Sequence, residues 1–598
     1  MDISNREPAF LDVEASLSEQ RWEQRLDPAG VNRALAIAQS HGIPDLVSRV
    51  LAGRGVTALE AADFLDPTLR ALMPDPSSLQ DMDVAAERLA DAIHAGDRVA
   101  VFGDYDVDGA ASSALLKRFL DHFGVDCEVY IPDRIFEGYG PNPDALDTLI
   151  DKGAKLIVTV DCGSTSHAAL EHAQERGSDV VVVDHHQIGT ELPPAVALVN
   201  PNREDDLSGQ GHLCAAGVVF LLLVATQRVL RGRGHAQVAS LDLLNLLDMV
   251  ALATVCDVVP LTGLNRAYVV KGLLVVRQMS NAGLAALMRV AGVDGPVTPY
   301  HLGFLIGPRI NAGGRIGDAA LGSRLLTQSD TTQAQEIAET LNRLNAERQA
   351  LERKILQEAE AEALHEIGTG EGPAVIVTEG EGWHPGIVGI VAARLKEKFR
   401  RPAFAIAFDP SGRGTGSGRS LSGFDMGRMV REAVDLGLAT KGGGHAMAAG
   451  LSVERGKLGA LRSFFEEQAA ATVGALRASQ SLKVDGAVAA SGATLELLDQ
   501  LDRAGPYGAG HPQPILVLPD HQLTDARVVG ADHVKLRFAD AAGRQIDSIA
   551  FRSAETPLGT ALLDGRGQRF HIAGMLSVNY WQGSRRVQMR VVDAARAG

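Results

Sequence analysis

Residues 179–186 read DVVVVDHH, from Asp179 to His186. Four β-branched residues in a row suit a strand buried on both faces, as in the middle of a parallel sheet. The run stops at Asp184, His185 and His186, and in open α/β sheets the carboxyl ends of the strands are where ligands bind. An acid and two imidazoles at such an end are metal-ligand chemistry. The plainer alternative is a polar exit from strand to loop, which would be costly to bury without partners.

Upstream, RVAVFG (98–103) reads as a strand, followed by DYDVDG (104–109) and a helical pattern to about His122. Asp104, Asp106 and Asp108 stand at alternate positions and repel one another unless something positive sits among them. A divalent cation is the usual solution; a solvated acidic loop is the alternative. The strand–helix alternation continues through 125–131, 142–152, 155–160 and 165–176, which argues for a parallel sheet built from βαβ units. KLIVTV (155–160) runs into Asp161, so three separate strand ends carry acids or imidazoles. Downstream, two apolar helical stretches (215–231 and 240–255) precede Asp257, an acid between Cys256 and Val258. So apolar a setting requires a partner, and Asp257 reads as a fourth corner of the same site, with helix capping as the alternative.

FLIGPRINAGGRIG (304–317) reads as a tight Gly-rich loop whose Arg309, Asn311 and Arg315 suit phosphate gripping; a plain helix-capping loop is the alternative. Thr331 to Ile367 contains neither Pro nor Gly. Its apolar stripe predicts a long helix, capped by Asp330 or Thr332, that acts as a strut between two lobes. Beyond it, strands at 374–380 and 402–408 precede two Gly-rich loops, GSGRSLSGFD (416–425) and KGGGHAMAAG (441–450), the second leading into a helix. Gly443 and Gly444 would let backbone N–H groups approach an anion, with Arg419, Ser420 and His445 adding a cation, a hydroxyl and an imidazole.

The last part changes character. Short strand patterns at 533–540, 545–551, 568–581 and 585–594 follow a turn-rich connector (506–516) and predict a small β-barrel. Residues 521–598 carry 11 Lys and Arg against 7 Asp and Glu, although the whole chain is acidic at −17. Aromatics are interleaved there, at Phe538, Phe551, Phe570, Tyr580 and Trp581. Basic strands with aromatic faces hold single-stranded nucleic acid by stacking and backbone contacts; barrel core packing is the alternative for some of these rings. Tyr580, Trp581, Arg585 and Arg586 are the expected surface contacts.

With 598 residues, the chain exceeds one hydrophobic core. The expected division is a helical extension (1–90) packed on the first lobe, a parallel-sheet α/β lobe (91–328), a connecting helix (329–368), a second α/β lobe (369–472) and the barrel (473–598). Cys127, Cys162, Cys214 and Cys256 form no CxxC pattern, which fits a reducing cytoplasm. No signal peptide and no run of about 18 uncharged apolar residues is visible.

The motifs DYDVDG, VDCG (160–163), DHH (184–186), ATVCDVVPL, GPRINAGGR (307–315) and GGGHAMAAG (442–450) resemble the DHH phosphoesterase superfamily. Over residues 95–598 the chain is similar to its branch of single-strand-specific 5′→3′ DNA exonucleases. One departure is His511, where that branch is expected to have Asn. The resemblance implies a parallel-sheet lobe, a DHH-associated lobe and an OB-like barrel. It also implies two Mn²⁺ or Mg²⁺ ions, with Asp106 and Asp108 each on one, Asp161 bridging, His185 and Asp257 on the second and Asp104 on the first. His186 would face the phosphate and Asp184 would orient the imidazoles. Arg309, Asn311 and Arg315 would position the backbone, and Arg419, Ser420, Gly443, Gly444 and His445 would take the 5′ end. Repair and recombination in the cytoplasm, with single-stranded DNA as substrate and a single-strand binding protein and a helicase as companions, would follow. No organic cofactor and no membrane are expected. The rival readings are a DHH phosphodiesterase of short oligonucleotides or cyclic dinucleotides, and an inactive DHH scaffold that binds single strands.

Overall fold

The computed structural model describes residues 8–133, 137–368, 370–581 and 584–597, with the side chains of Tyr580 and Trp581 outside the described set. The chain divides into two compact units. One combines the residues up to Asp75, Val258–Leu273 and the chain from Gln480 onward; the other combines Pro76–Asp257 and Leu274–Ser479.

The second of these units holds both α/β lobes. Its first sheet is all parallel: β1 (Val99–Gly103), β2 (Cys127–Tyr130), β3 (Leu156–Val160), β4 (Asp179–Val183) and β5 (Ala197–Val199), in the order β2-β1-β3-β4-β5. The strands β1 and β3 are buried throughout, as their unbroken apolar sequences require. Helix α1 (Val107–His122) follows β1, and α2 (Ala215–Gly232) and α3 (Leu247–Cys256) pack on it. Helix α2 is long and apolar enough to cross a membrane, but most of it is buried inside the lobe, as in a core helix.

The segment read as a Gly-rich loop at 304–317 is instead helical: a π-helical turn, His301–Ile306, runs straight into α4 (Gly307–Ile316). Glycine disfavours helix in isolation, and tertiary contact overrides that here. A Cβ at Gly307 would lie 2.5 Å from Cys256 Sγ, and one at Gly314 would lie 2.8 Å from the Tyr105 carbonyl. The glycines let this helix press onto both ends of the acidic site. Helix α5 spans Thr331–Ile367, and Asp330 caps it by accepting from the N–H groups of Thr332 and Gln333.

The second lobe is a mixed sheet of β6 (Ile376–Glu381), β7 (Ala403–Phe408), β8 (Arg413–Arg419), β9 (Lys441–His445) and β10 (Ala448–Glu454), ordered β9-β10-β8-β7-β6. Of the two segments expected as Gly-rich loops, 441–450 lies largely in strands, whereas 416–425 leaves its strand after Arg419 and is otherwise loop; no helix follows GGGH: β9 and β10 form a hairpin. The glycines are explained by the two faces of the sheet. A Cβ at Gly418 would strike the Phe404 ring at 2.4 Å, and one at Gly442 would meet Val430 Cγ1 at 2.6 Å.

In the other unit, five strands close a barrel: β11 (Leu516–Val529), β12 (His533–Ala539), β13 (Gln545–Ala550), β14 (Arg569–Trp581) and β15 (Ser584–Arg596). The ring runs β11-β12-β13-β15-β14 and back to β11, with only β13–β15 parallel and a short helix, Pro557–Leu563, between β13 and β14. That is the OB arrangement. The first of these strands begins where a turn-rich connector is expected, and it kinks at Pro519–Asp520 through a register shift.

The amino-terminal segment, expected to pack on the first lobe, divides at Pro76, from which it belongs to the unit of the two α/β lobes. Its residues 8–75 belong with the barrel. Arg21–Gln24 pairs in parallel with Ser481–Val484, and Trp22 is fully buried with Nε1 donating to Asp593 Oδ2 at 2.9 Å. Arg25 and Arg54 both reach Asp485 Oδ1, at 2.8 and 2.6 Å. His511 is buried here, stacked on Tyr507, with Nε2 2.7 Å from the Ala504 carbonyl; burial pushes its pKa down to about 4.

Candidate metal centre

Register builds the site. Gly103 is level with Val160, and Val160 with Val183. The next residues of these three neighbouring strands are Asp104, Asp161 and Asp184, so three acids leave the sheet side by side. Asp161 adopts a left-handed backbone (φ 61°), a conformation Asp tolerates better than most residues, and its N–H donates to the Val183 carbonyl. Asp106 is the N-cap of α1, its Oδ1 accepting from Asp108 N at 2.8 Å and Gly109 N at 3.2 Å. The helix therefore opens at Val107, earlier than Gly109. The glycine serves close approach, since a Cβ there would lie 2.4 Å from the Asp104 carbonyl.

Asp108 turns inward onto the first N–H groups of α2: Oδ2 accepts from Ala215 at 2.7 Å and Oδ1 from Ala216 at 2.8 Å. Asp257 closes the far side from the end of α3. The imidazole of His185 lies at the focus, with Nε2 3.3 Å from Asp161 Oδ1 and 3.7 Å from both Asp108 Oδ2 and Asp257 Oδ2. One donor atom each from Asp104, Asp106 and Asp161 falls within 4.8 Å of the others, and the same holds for Asp108, His185 and Asp257, and for Asp161, His185 and His186.

The electrostatics of this crowd are one-sided. Burial, then Asp108 and the other carboxylates, pushes Asp161 well above the ordinary range. Burial and then Asp108 and Asp106 push Asp257 up to about 9. Asp108 is raised by burial, with His185 pulling the other way. Asp161 Oδ1 and Asp257 Oδ2 are buried and accept no hydrogen bond. Hard oxygen donors with imidazole, packed too tightly to be anionic alone, fit divalent cations.

Asp184 behaves differently. Burial alone would raise it, but the His186 ring, Ser164 and the backbone of the DHH turn donate to it and hold it well below the usual range. His186 Nδ1 lies 2.8 Å from Asp184 Oδ1. Three residues absent from the motif reading complete the turn. Asn200 donates to Ser164 Oγ and the His186 carbonyl, both at 2.9 Å. Asn202 donates to the His185 carbonyl at 2.5 Å. The Tyr139 hydroxyl donates to the Asp161 carbonyl at 3.1 Å and lies 3.2 Å from His186 Nδ1. Periodicity carries no signal for them; all three sit in loops.

The basic residues of α4 are half-buried. Arg309 donates to Asn342 Oδ1 and the Leu305 carbonyl, at 3.0 and 2.6 Å. Asn311 Oδ1 is buried and accepts no hydrogen bond. Arg315 donates to the Gly386 carbonyl at 3.0 Å, and three residues on, a Cβ at Gly389 would lie 3.2 Å from Arg419 Nη2. The segment 386–389 therefore brings Arg315 of the first lobe and Arg419 of the second to one place. In the second sheet Arg419 pairs with Ala448, and Ala448 with His445, so Arg419 and His445 share one face at one end. His445 is exposed and Gly443 has open space beside it. Ser420 does not join them: it is 1% exposed and donates its hydroxyl to the Phe424 carbonyl at 2.8 Å, which fixes the exit from β8.

In the barrel, Phe538 and Phe570 are core residues, so packing, not stacking on bases, accounts for them. Phe551 is 48% exposed, with the Arg590 guanidinium 5.5 Å from its ring centroid. Arg585 and Arg586 are exposed on β15, and Arg585 donates to Asp499 Oδ1 at 2.9 Å. The expected contacts of the Tyr580 and Trp581 side chains lie outside the described residues.

Three family models match: the DHH family N-terminal domain at residues 98–254, the DHHA1 domain at 372–471 and the RecJ OB domain at 484–593. The single-stranded-DNA-specific exonuclease RecJ of Escherichia coli is 37% identical, over 92% of this chain and 96% of its own length. Crystal structures of RecJ from Thermus thermophilus superpose with TM-scores of 0.77 in complex with Mn²⁺ and 0.73 in complex with Mg²⁺. The identities are 31% and 29%, covering 96% of this chain and 79% and 78% of those chains.

Proposed function

The chain belongs to the RecJ family of single-stranded-DNA-specific exonucleases, and on that footing we propose that it removes 5′-mononucleotides from the 5′ end of single-stranded DNA by metal-dependent phosphodiester hydrolysis. The observation that carries the reading is the convergence of Asp104, Asp106, Asp108, Asp161, His185 and Asp257, with buried oxygens of Asp161 and Asp257 accepting no hydrogen bond.

Asp104, Asp106 and Asp161 would hold one divalent ion, Mn²⁺ or Mg²⁺, and Asp108, His185 and Asp257, with Asp161 beside them, would hold the second. Such a pair, when bound, lowers the pKa of a shared water and neutralises charge on the phosphate. The chain's own groups do the rest. Asp184 fixes the DHH turn, so that His185 presents Nε2 to the acids and His186 stands on the phosphate side, where a ring N–H stabilises a developing oxyanion. Tyr139 braces Asp161 and His186. Arg309, Asn311 and Arg315 line the approach of the backbone. Arg419 and His445, with the backbone at Gly443, which has open space beside it, and at Gly444, receive the terminal phosphate, and Ser420 holds the strand that presents Arg419. The exposed basic strand of the barrel binds single-stranded DNA. A cytoplasmic role in repair and recombination, beside a single-strand binding protein and a helicase, fits four free thiols and this substrate.

The test is end-labelled DNA with Mn²⁺. Mononucleotides should appear from a free 5′ end of single strands, with little from blunt duplex. Release from 3′ ends, or preference for cyclic dinucleotides, overturns the proposal.

A further inference from the structure

The turn that precedes α4 carries two aromatic side chains that the core does not use. Leu302 and Ile306 are buried, while Tyr300 is 57% and Phe304 69% exposed. Their rings stack on each other, with centroids 5.2 Å apart and planes 24° apart. Two large rings paired on a surface, with neither serving the interior, are an exposed apolar feature of the kind that marks a binding site. The backbone beneath them is a π-helical turn, His301–Ile306, and such turns recur at functional sites.

Their position is tied to the metal centre by three contacts. A Cβ at Gly303 would lie 3.2 Å from Val255 Cγ1, one at Gly307 2.5 Å from Cys256 Sγ, and Cys256 Sγ lies 3.5 Å from the Leu302 carbonyl. The turn therefore rests on the two residues immediately before Asp257. The same helix continues into α4, whose far end rests on Tyr105 between the acids Asp104 and Asp106. Within α4, a spacing of four residues puts Asn311 and Arg315 on one side of the helix. One continuous helical run, resting on the neighbours of Asp257 and on Tyr105, thus carries the aromatic pair, an amide and a guanidinium.

We propose that Tyr300 and Phe304 are a stacking platform for bases of the single strand held in the candidate site, so that this helix grips a base at one end and backbone phosphate at the other. The proposal rests on the exonuclease reading above. The occupant is a nucleic-acid base and not a protein side chain because the platform is continuous with the acids through α3 and α4, and because every base offers a face to a ring whatever the sequence.

The test separates the two readings. Cleavage of a 5′-phosphorylated 12-mer by the wild-type protein with Mn²⁺ examines the exonuclease reading alone. Binding of the same oligomer in EDTA, followed by fluorescence anisotropy, examines the platform. Phe304→Ala and Tyr300→Ala should each weaken binding by about tenfold, the scale of one base–aromatic stack. Phe304→Leu, which keeps an apolar side chain, should lose most of that, and Phe304→Trp should restore it. An abasic site walked along the oligomer should cost wild type a similar factor at one or two adjacent positions, and cost Phe304→Ala nothing further there. Equal binding by Phe304→Leu and wild type, or an abasic penalty that the variants leave unchanged at every position, overturns the platform even if cleavage proceeds as proposed.

Discussion

The acid cluster of the first lobe and the glycine hairpin of the second lobe both sit at the end of a sheet, yet they are built in opposite ways. In the first, Asp104, Asp161 and Asp184 leave three level parallel strands, and Asp108 and Asp257 come in from helices. Charge and burial conflict there: Asp161, Asp108 and Asp257 are all raised by burial. In the second, Arg419 and His445 flank Ala448 on glycine-rich antiparallel strands, and His445 is open to solvent. The first region is strained until a cation arrives. The second has backbone room and positive charge in place before any ligand does. One is a candidate site made by crowding acids together; the other is a pair of basic side chains beside one uncrowded glycine, Gly443.

The sharpest way to break that contrast is Asp161→Ala. Hydrolysis in Mn²⁺ should fall to background while single strands still bind, measured by product release and anisotropy on the same preparation. Normal cutting would mean that the shared carboxylate is not needed and that the crowding has another cause.

A buried acid elsewhere in the same lobe serves as the control. Asp248 in α3 is 2% exposed and pushed up to about 6 by burial, with Met249 N–H and Arg118 offsetting part of it. Its native pKa lies above the unfolded value, so the native state binds the extra proton between about pH 4 and 6, and stability falls as pH rises through that window. Asp248→Asn removes the loss. The variant should match wild type near pH 4 and exceed it above pH 6, by up to about 3 kcal/mol at two pKa units, in urea melts at each pH. It should leave Mn²⁺ binding alone, whereas Asp257→Asn should weaken it. If Asp248→Asn also lost the metal, the acids of the cluster would not be distinct from other buried acids.

In the second lobe the effects should be smaller and confined to one substrate. Arg419→Ala and His445→Ala should each lower kcat/KM by about tenfold on 5′-phosphorylated strands, the loss of one charge-assisted hydrogen bond. On 5′-hydroxyl strands they should do little. An equal loss on both substrates would make the hairpin structural.

The same contrast explains what could be read from the chain. The first lobe was legible because metal chemistry demands particular residue types, and a parallel sheet puts them at the ends of apolar runs. Asp104, Asp161 and His185 announce themselves by sitting where β-branched residues stop. Tyr139, Asn200 and Asn202 do not, because their roles exist only once β5 and the loops have closed around the DHH turn. The glycines misled in both lobes. Propensity assigns Gly307–Ile316 and Lys441–His445 to loops, and close approach to Cys256, Tyr105 and Val430 makes them helix and strand. The amino-terminal segment was illegible for a different reason: Trp22 and Arg25 find their partners at Asp593 and Asp485, more than 400 residues away. Removing everything from residue 480 would therefore uncover Trp22 as well as delete the barrel, and would report on folding before it reported on DNA binding.

The barrel extends the comparison to its weakest limit, a surface where charge alone acts. Arg585 and Arg586 are adjacent and exposed on β15, but Arg585 is held 2.9 Å from Asp499 Oδ1. A guanidinium already paired has less counterion to release when a phosphate replaces it, and counterion release sets the salt dependence of binding. Arg586→Ala should therefore lower the slope of log K against log salt by about one, with a Kd change of only a few-fold near 0.1 M salt. Arg585→Ala should move the slope less. Titrating a long oligothymidine at several salt concentrations measures both, and the test is of the difference between the two residues. Equal slopes would mean that Asp499 lets go when DNA arrives, and that the barrel surface is rearranged by its ligand in the way the glycine hairpin, already open, need not be.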